Sequence, residues 1–440
     1  MDEFTIVTVV VAFTALAAWA NDRFIKLPNA IGVMLAGVLV SGGILWANRM
    51  GVIDDTWAIK LVQNLHLESL LLTGTGSQSS GQGILLGLLL FAAAVQIEPA
   101  SMARRLGLII WLATIGVVLT AVGLALGFHV LLWFADRPSF ILHLLLFGVI
   151  LAPTDPVAVL SLLRRTSVPG RVREVVTGEA LFNDGASIIL FLFLLALITG
   201  QTETPYQGAW LLGFFVEAGG GIVAGLVFGF LGMLLISTSH AASVMVLVSI
   251  GIVLGIGVMS PLFYTSCPVA CAVAGLVIGR TRVLTANEGR LTSSFWRLIE
   301  QVLTAVLFLM IGLELLVADL SWEAVLWSLP VIPLLLIMRF LALVIPWSVA
   351  RAFGWTTIAI EEIVLMTWCG IRGGVSIAMA IAVPVTIKVA DGSSDLRGSA
   401  MVATILVVIA SIIIQGLTVP RVAKMVQRRS DRRAAAEAAA

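Results

Sequence analysis

Charged residues are scarce in this chain of 440 residues, because Asp, Glu, Lys and Arg make up only 12% of it. Ordinary globular domains contain roughly 25% charged and 45–50% apolar residues. Here 60% of the residues are hydrophobic and the mean hydropathy is +1.08. This composition excludes soluble enzymes, disordered chains and nucleic-acid binders, and it indicates a protein whose surface contacts membrane lipid.

Cysteine is also rare, with only Cys267, Cys271 and Cys369 in the chain. Three cysteines provide neither a disulfide framework nor a metal-binding framework, and the first two lie one helical turn apart in an apolar segment. We interpret all three as packing residues. The sequence also lacks an ATP-binding motif, so we expect no nucleotide and no cofactor.

Long apolar runs recur along the whole chain and predict an all-α protein that crosses the membrane many times. The strict alternation of apolar and polar residues that is typical of outer-membrane barrels is missing. Interruptions by charged residues, Gly, Pro and Ser predict thirteen transmembrane helices, centred near residues 11, 37, 90, 120, 152, 187, 223, 250, 270, 307, 337, 375 and 409.

The basic residues predict the orientation, because short cytoplasmic loops carry an excess of Lys and Arg. If the N-terminus lies outside, nineteen of the 26 basic residues fall on the cytoplasmic side and five fall on the opposite side. We therefore expect a transmembrane domain over residues 1–420 and a basic, Ala-rich cytoplasmic tail over residues 421–440. The membrane is predicted to be a bacterial inner or plasma membrane.

Ionisable residues inside a bilayer are costly, so each should face a cavity or a partner. The first such place is the fifth span, where Thr154 and Asp155 stand between Pro153 and Pro156. The two prolines remove backbone donors and push the preceding residues away from α geometry. We therefore expect a broken helix here, with Thr154 and Asp155 facing water, an ion or protein.

The second place is the sixth span, which contains Glu179, Asn183, Asp184 and Ser187. Glu179 and Asn183 are four residues apart and share a helix face. Asp184 lies about 100° further round the helix than Asn183 and about 7.5 Å along the axis from Glu179. One helix therefore presents two carboxylates in different directions, and Ser187 offers a hydroxyl near the second.

The third place is the twelfth span, where three glycines surround Arg372. An arginine does not lose its charge in a protein, so this one needs a buried anion, and Glu179 is the predicted partner. Glu300 and Arg339 also lie on predicted spanning helices. They are candidate supporting residues that either pair with each other or flank the ion path.

These residues together resemble a known family. Thr154-Asp155-Pro156, then Glu179-(x3)-Asn183-Asp184 and finally Gly370-Ile-Arg372-Gly are similar, in this order, to motifs of the cation/proton antiporter-1 class. That class includes bacterial NhaP-type antiporters and animal sodium/proton exchangers. The resemblance covers nearly the whole chain. It implies inverted repeats, crossed discontinuous helices in a core bundle around spans 5, 6 and 12, a dimerisation scaffold, and a homodimer.

The resemblance also implies roles for individual residues. It assigns ion binding and transport to Asp184, Asp155, Thr154 and Asn183, with Na⁺ at the first three. Asn183 stands where electrogenic relatives have a second Asp. Glu179 and Arg372 match the structural ion pair of the family. This chain departs from many members at Ala180, where they have Ser. Fewer oxygen ligands are then available, which leaves the cation selectivity open.

The function implied is electroneutral exchange of Na⁺ or Li⁺ for H⁺ by alternating access, with no enzymatic activity. A K⁺/H⁺ antiporter is the main alternative. Two intramembrane aspartates also fit an aspartyl protease, although the expected Gly-x-Gly-Asp pattern is missing. Broken helices also line some cation channels, but no repeated carbonyl filter sequence occurs.

Overall fold

A computed structural model of the chain describes residues 3–27, 29–52, 84–96, 105–156, 159, 163, 168, 170–199, 210–239, 241–280, 287–314, 316, 322–356, 358–384, 386–389 and 396–439. Within these ranges the regular structure is helical, apart from one isolated β-bridge at Lys388. Helices are expected because the core of a bilayer contains no water. The backbone N–H and C=O groups must therefore form hydrogen bonds with each other.

The helices are numbered in chain order. The first eight are α1 (Glu3–Ala20), α2 (Asn29–Arg49), α3 (Ile84–Val95), α4 (Leu106–Phe134), α5 (Ile141–Ile150), α6 (Gly170–Thr199), α7 (Trp210–Ser237) and α8 (Ala242–Leu262). The others are α9 (Cys267–Gly279), α10 (Asn287–Glu314), α11 (Trp322–Ser328), α12 (Val331–Ala352), α13 (Ile360–Trp368), α14 (Gly374–Ile381), α15 (Leu396–Ala410) and α16 (Leu417–Ala439).

The prediction of a helical protein with many membrane spans is confirmed. Nine segments of the described residues are long and apolar enough to cross a membrane, and α3, α5 and α9 are shorter apolar helices. Twelve of the thirteen predicted centres lie in helices, and the centre near residue 152 lies in an interruption just after α5. The exact number of spans stays a prediction.

The chain divides into two compact units. The first unit comprises Met1–Ile97, Gln201–Ala324 and Ile377–Pro384. Its helix α9 packs closely against α7, because Gly221, Gly225 and Gly229 repeat every four residues along α7. A Cβ on Gly225 would lie 2.5 Å from the Ala270 carbonyl oxygen. Small residues at this spacing let helix backbones approach closely in a membrane, where van der Waals contact drives association.

The second unit comprises Glu98–Gly200, Val325–Ser376 and Val385–Ala440. The long helix α4 packs against α5, α6 and α12 in this unit. Trp111 of α4 donates its indole N–H to the Pro346 carbonyl oxygen of α12 at 3.1 Å. This unit contains the helix interruptions at residues 151–155 and 369–373 and all of the ionisable residues predicted in spans 5, 6 and 12.

The predicted tail does not begin as a separate segment. Helix α15 continues through a π-helical segment, Ser411–Gly416, into α16, which begins at Leu417 and ends at Ala439. The boundary predicted at residue 421 therefore falls inside a helix.

Candidate functional site

The first interruption follows α5, which ends at Ile150 as the two prolines predict. Residues 151–155 are not helical, and Thr154 and Asp155 are buried within them. The Val149 carbonyl oxygen, which loses its helical partner at Pro153, instead accepts a hydrogen bond from the Ala152 N–H at 3.1 Å. The backbone at the break is therefore partly satisfied by a tighter turn.

The second interruption separates α13 from α14. Residues 369–373 are not helical and contain Gly370, Arg372 and Gly373. The Asp155 N–H donates to the Ile371 carbonyl oxygen at 2.8 Å. The two interruptions therefore meet through their backbones, and the crossing of discontinuous helices implied by the family resemblance is present in this unit.

Arg372 stabilises the first interruption from the second. Its side chain is 1% exposed, and its Nη1 donates to the carbonyl oxygens of Ala152 and Pro153 at 2.9 and 3.0 Å. The carbonyl end of a helix carries partial negative charge and lacks intrahelical donors. A guanidinium offers several donors and a permanent positive charge, so it suits this position. Its own backbone N–H donates to the Ser411 hydroxyl at 3.2 Å.

The predicted ion pair between Glu179 and Arg372 is wrong. Glu179 pairs instead with Arg339 of α12, whose Nη1 and Nη2 donate to Oε1 and Oε2 at 2.8 and 2.6 Å. Both side chains are almost fully buried, at 1% and 4% exposure. The physical reason is that Arg372 faces backbone carbonyls, so the carboxylate is left for the second buried arginine, which binds it with two parallel hydrogen bonds.

Asn183 connects this ion pair to the first interruption. Its Nδ2 donates to Oε1 of Glu179 at 3.0 Å and to the Thr154 hydroxyl at 2.8 Å. Its Oδ1 accepts the Thr154 N–H at 3.2 Å. Because both amide hydrogens and the carbonyl oxygen have partners, Asn183 positions Thr154 and Glu179. Its role as an ion-binding residue stays a prediction.

Asp184 lies one residue further along α6 and is 3% exposed. Its Oδ1 has no hydrogen-bond partner within the described ranges, and the same holds for the buried hydroxyl of Ser187 one turn later. Its charged neighbours include Asp155, Glu179 and Arg372. A buried carboxylate oxygen with no partner is costly, so this atom is the natural position for a proton or a cation.

The side-chain atoms that could bind a cation here are all oxygens, which are the ligands that hard cations prefer. They are the carboxylates of Asp184 and Asp155, with the hydroxyls of Thr154 and Ser187 on the same two elements. In the part of the chain that the structure describes, no group of three or more His, Cys, Asp or Glu side chains forms a metal cluster.

The other predicted supporting residue, Glu300, belongs to the first unit. It is buried on α10 and accepts a hydrogen bond from the Gln96 side-chain amide. Arg339 belongs to the second unit, where it is engaged by Glu179. Sequence reasoning also missed Ser411, which supports Arg372. A single hydroxyl in an apolar run gives no signal that would distinguish it from a packing residue.

Gly373 permits the close approach of the two interruptions. A Cβ at this position would overlap Oδ2 of Asp155 and would lie 2.6 Å from Asp155 Cβ. We expect Gly373→Ala to lower the free energy of unfolding by about 1–3 kcal/mol, the usual cost of overpacking a well-packed interior. We also expect it to impair transport because Asp155 is displaced. Thermal unfolding of the purified protein and flux in proteoliposomes measure the two effects.

The chain supplies a matched control for that substitution. Gly185 follows Asp184 directly, yet a Cβ added there would meet nothing within 4 Å. Gly185→Ala should leave stability and transport close to those of the wild type. Equal effects of the two substitutions would show that overlap with Asp155 is not the cause.

Comparison with known proteins agrees with this arrangement. Residues 9–425 match the family model described as sodium/hydrogen exchanger, transmembrane. The chain belongs to the sodium/hydrogen exchanger family. This membership confirms the resemblance that the motifs carried, and it makes the protein a transporter and not an enzyme.

Several members of the exchanger family are similar along most of their length. The Na⁺/H⁺ antiporter NhaP of Pseudomonas aeruginosa is 31% identical over 94% of this chain and 95% of its own length. The Na⁺/H⁺ antiporter NhaH of Halobacillus dabanensis is 25% identical over 91% of this chain and 92% of its own.

A solved structure shows the same fold. The sodium proton antiporter MjNhaP1 from Methanocaldococcus jannaschii matches with a TM-score of 0.73 over 96% of this chain and 98% of that one, at 18% sequence identity. The antiporter fold expected from the sequence is therefore confirmed.

Proposed function

We propose that this member of the exchanger family exchanges one Na⁺ or Li⁺ for one H⁺ across the membrane without moving net charge. The observation that carries the proposal is the buried, unpartnered Oδ1 of Asp184 beside the crossing of two interrupted helices. The relatives named Na⁺/H⁺ antiporters support the choice of ions. In this proposal Asp184 binds the cation, and Asp155 and Thr154 contribute further oxygens.

The formal charges around Asp184 support a ratio of one to one. Glu179 and Arg339 neutralise each other in a bidentate pair. Arg372 and Asp155 carry opposite charges at the two interruptions, which leaves the carboxylate of Asp184 as the single surplus charge. Either one proton or one monovalent cation neutralises that surplus, so exchanging one for the other changes no net charge.

Competition for Asp184 is sufficient to couple the two fluxes. A carboxylate that carries neither ion keeps an uncompensated charge, and moving such a charge through an apolar barrier is costly. The proton-loaded and cation-loaded forms cross readily, whereas the empty form crosses slowly. The site is exposed to each side in turn, which is alternating access.

The proposal also covers the domain boundaries, the membrane and the oligomeric state. The transmembrane antiporter domain covers residues 1–420, with residues 421–440 as a cytoplasmic tail and the N-terminus outside. The protein resides in a bacterial inner or plasma membrane, where it contacts lipid and forms a homodimer. It uses no cofactor, and its substrates are the transported ions.

The proposal is tested with the wild-type protein in proteoliposomes under an imposed pH gradient. Na⁺, Li⁺ and K⁺ are added separately while the membrane potential is clamped, and internal pH is recorded. We expect Na⁺ and Li⁺, but not K⁺, to move protons without net current. Proton movement with K⁺ alone would assign K⁺/H⁺ exchange, and a cation current without proton movement would indicate a channel.

A further inference from the structure

Helix α16 carries a basic surface that the transport site does not use. Within Leu417–Arg429 there are four basic residues and no Asp or Glu. These side chains are exposed together with Met425, at the spacing i, i+3, i+4, i+7 and i+8, which places them on one helix face. The basic stripe is defined here as Arg421, Lys424, Met425, Arg428 and Arg429.

The opposite face of α16 is held by the rest of the second unit. Val419, Ala423 and Val426 are buried at 0%, 2% and 7% exposure. Near the start of the helix, the Trp368 indole N–H donates to the Thr418 hydroxyl at 2.7 Å. These contacts fix the orientation of α16 about its own axis. The basic stripe faces outward because the opposite face is packed.

The position of the stripe along the helix corresponds to the lipid headgroups. The helical segment that includes it, Leu396–Arg429, contains an 18-residue window that is apolar enough to span a membrane. At about 1.5 Å per residue, Arg421 lies about 37 Å along the segment, beyond a hydrocarbon core of about 30 Å. The phosphate layer of a bilayer lies at this depth.

The shape and chemistry of the stripe suit a phospholipid. Its side chains line an open groove of about 420 Å³. Four cations provide donors for phosphate oxygens, and the apolar side chain of Met425 lies among them. Clusters of four or more Lys and Arg residues at the end of a spanning helix attract anionic lipids.

We propose that the basic stripe of α16 binds the headgroup of an anionic phospholipid. This inference is independent of the proposed ion exchange, because it concerns binding and not transport. The ligand attaches the last helix to one leaflet and is held by charge, so its affinity falls as the salt concentration rises.

The test uses the full-length protein in a neutral detergent. Retained lipid is measured by native mass spectrometry during titration with phosphatidylglycerol or phosphatidylcholine. We expect phosphatidylglycerol to be retained preferentially. Replacing Arg421, Lys424, Arg428 and Arg429 with Gln together should weaken its apparent affinity by about tenfold or more.

The matched control removes four charges from scattered exposed positions, by replacing Arg23, Lys26, Arg280 and Arg297 with Gln. This variant should retain phosphatidylglycerol like the wild type. Equal loss in both quadruple variants, or no loss in the stripe variant, would overturn the assignment. Thermal unfolding confirms that each variant is folded.

A competition experiment separates lipid from free anions. Inorganic phosphate at millimolar concentration should not displace phosphatidylglycerol from the wild-type protein. If it displaced the lipid completely, the stripe would be a site for free anions and the lipid proposal would be wrong. Retention of nucleic acid or an acidic protein in preference to phosphatidylglycerol would also overturn it.

Discussion

Asp184→Asn is expected to reduce cation-dependent proton movement to the level of protein-free liposomes. The substitution keeps the size of the side chain but removes the charge that a proton or a cation must neutralise. The protein should remain folded, because Oδ1 of Asp184 is buried without a hydrogen-bond partner among the described residues, so the substitution breaks no hydrogen bond of that atom. Flux in proteoliposomes and the thermal unfolding midpoint are measured on the same preparation.

A matched control for this substitution is Asp136→Asn. Asp136 is exposed after the end of α4 and has a positive φ of 52°, a conformation that Asn adopts as readily as Asp. Its transport should equal that of the wild type. Substantial Na⁺-dependent flux in Asp184→Asn, with Asp136→Asn unchanged, would remove Asp184 as the carrier and direct attention to Asp155.

Breaking the Glu179–Arg339 pair is expected to have the largest effect on stability. Removing one partner leaves an uncompensated charge in the interior, which costs about 3–5 kcal/mol in proteins. We expect Arg339→Met and Glu179→Gln each to lower the free energy of unfolding by about this amount. The double variant should lose less than the sum, because no buried charge is then left alone. Unfolding by SDS in mixed micelles measures the cycle.

The structure provides an exposed pair between α6 and the residue just before α4 for comparison. Arg105 and Glu174 are 3.0 Å apart, but their side chains are 34% and 28% exposed. Exposed ion pairs contribute about 0–1 kcal/mol, so Arg105→Gln should have little effect. The same cycle is measured for Glu179→Gln with Arg372→Met. A larger coupling energy in that cycle than in the cycle with Arg339→Met would show that Glu179 does not pair with Arg339.

Arg372 shows which features of the site the sequence motifs could predict and which they could not. Sequence reasoning noted the three glycines around Arg372 and required a buried anion for it, with the Glu179 carboxylate as the partner. Arg372 is buried, but its guanidinium donates to two backbone carbonyls instead. Side-chain charges can be counted in a sequence, but the carbonyls that a broken helix leaves open become available only where another segment crosses it.

The amino-acid sequence alone determined that this protein is helical and lies in a membrane. Its charged residues are scarce and its apolar runs are long, so most of its surface is suited to lipid and not to water. It also located the broken helix at Thr154 and Asp155 and the candidate carrier Asp184, because prolines and carboxylates are costly inside a bilayer. Only the tertiary structure decided that Arg339 neutralises Glu179, that Asn183 is occupied by Thr154, and that Gly373 makes room for Asp155. These choices depend on distances between helices far apart in sequence, and residue spacing within one helix carries no information about them.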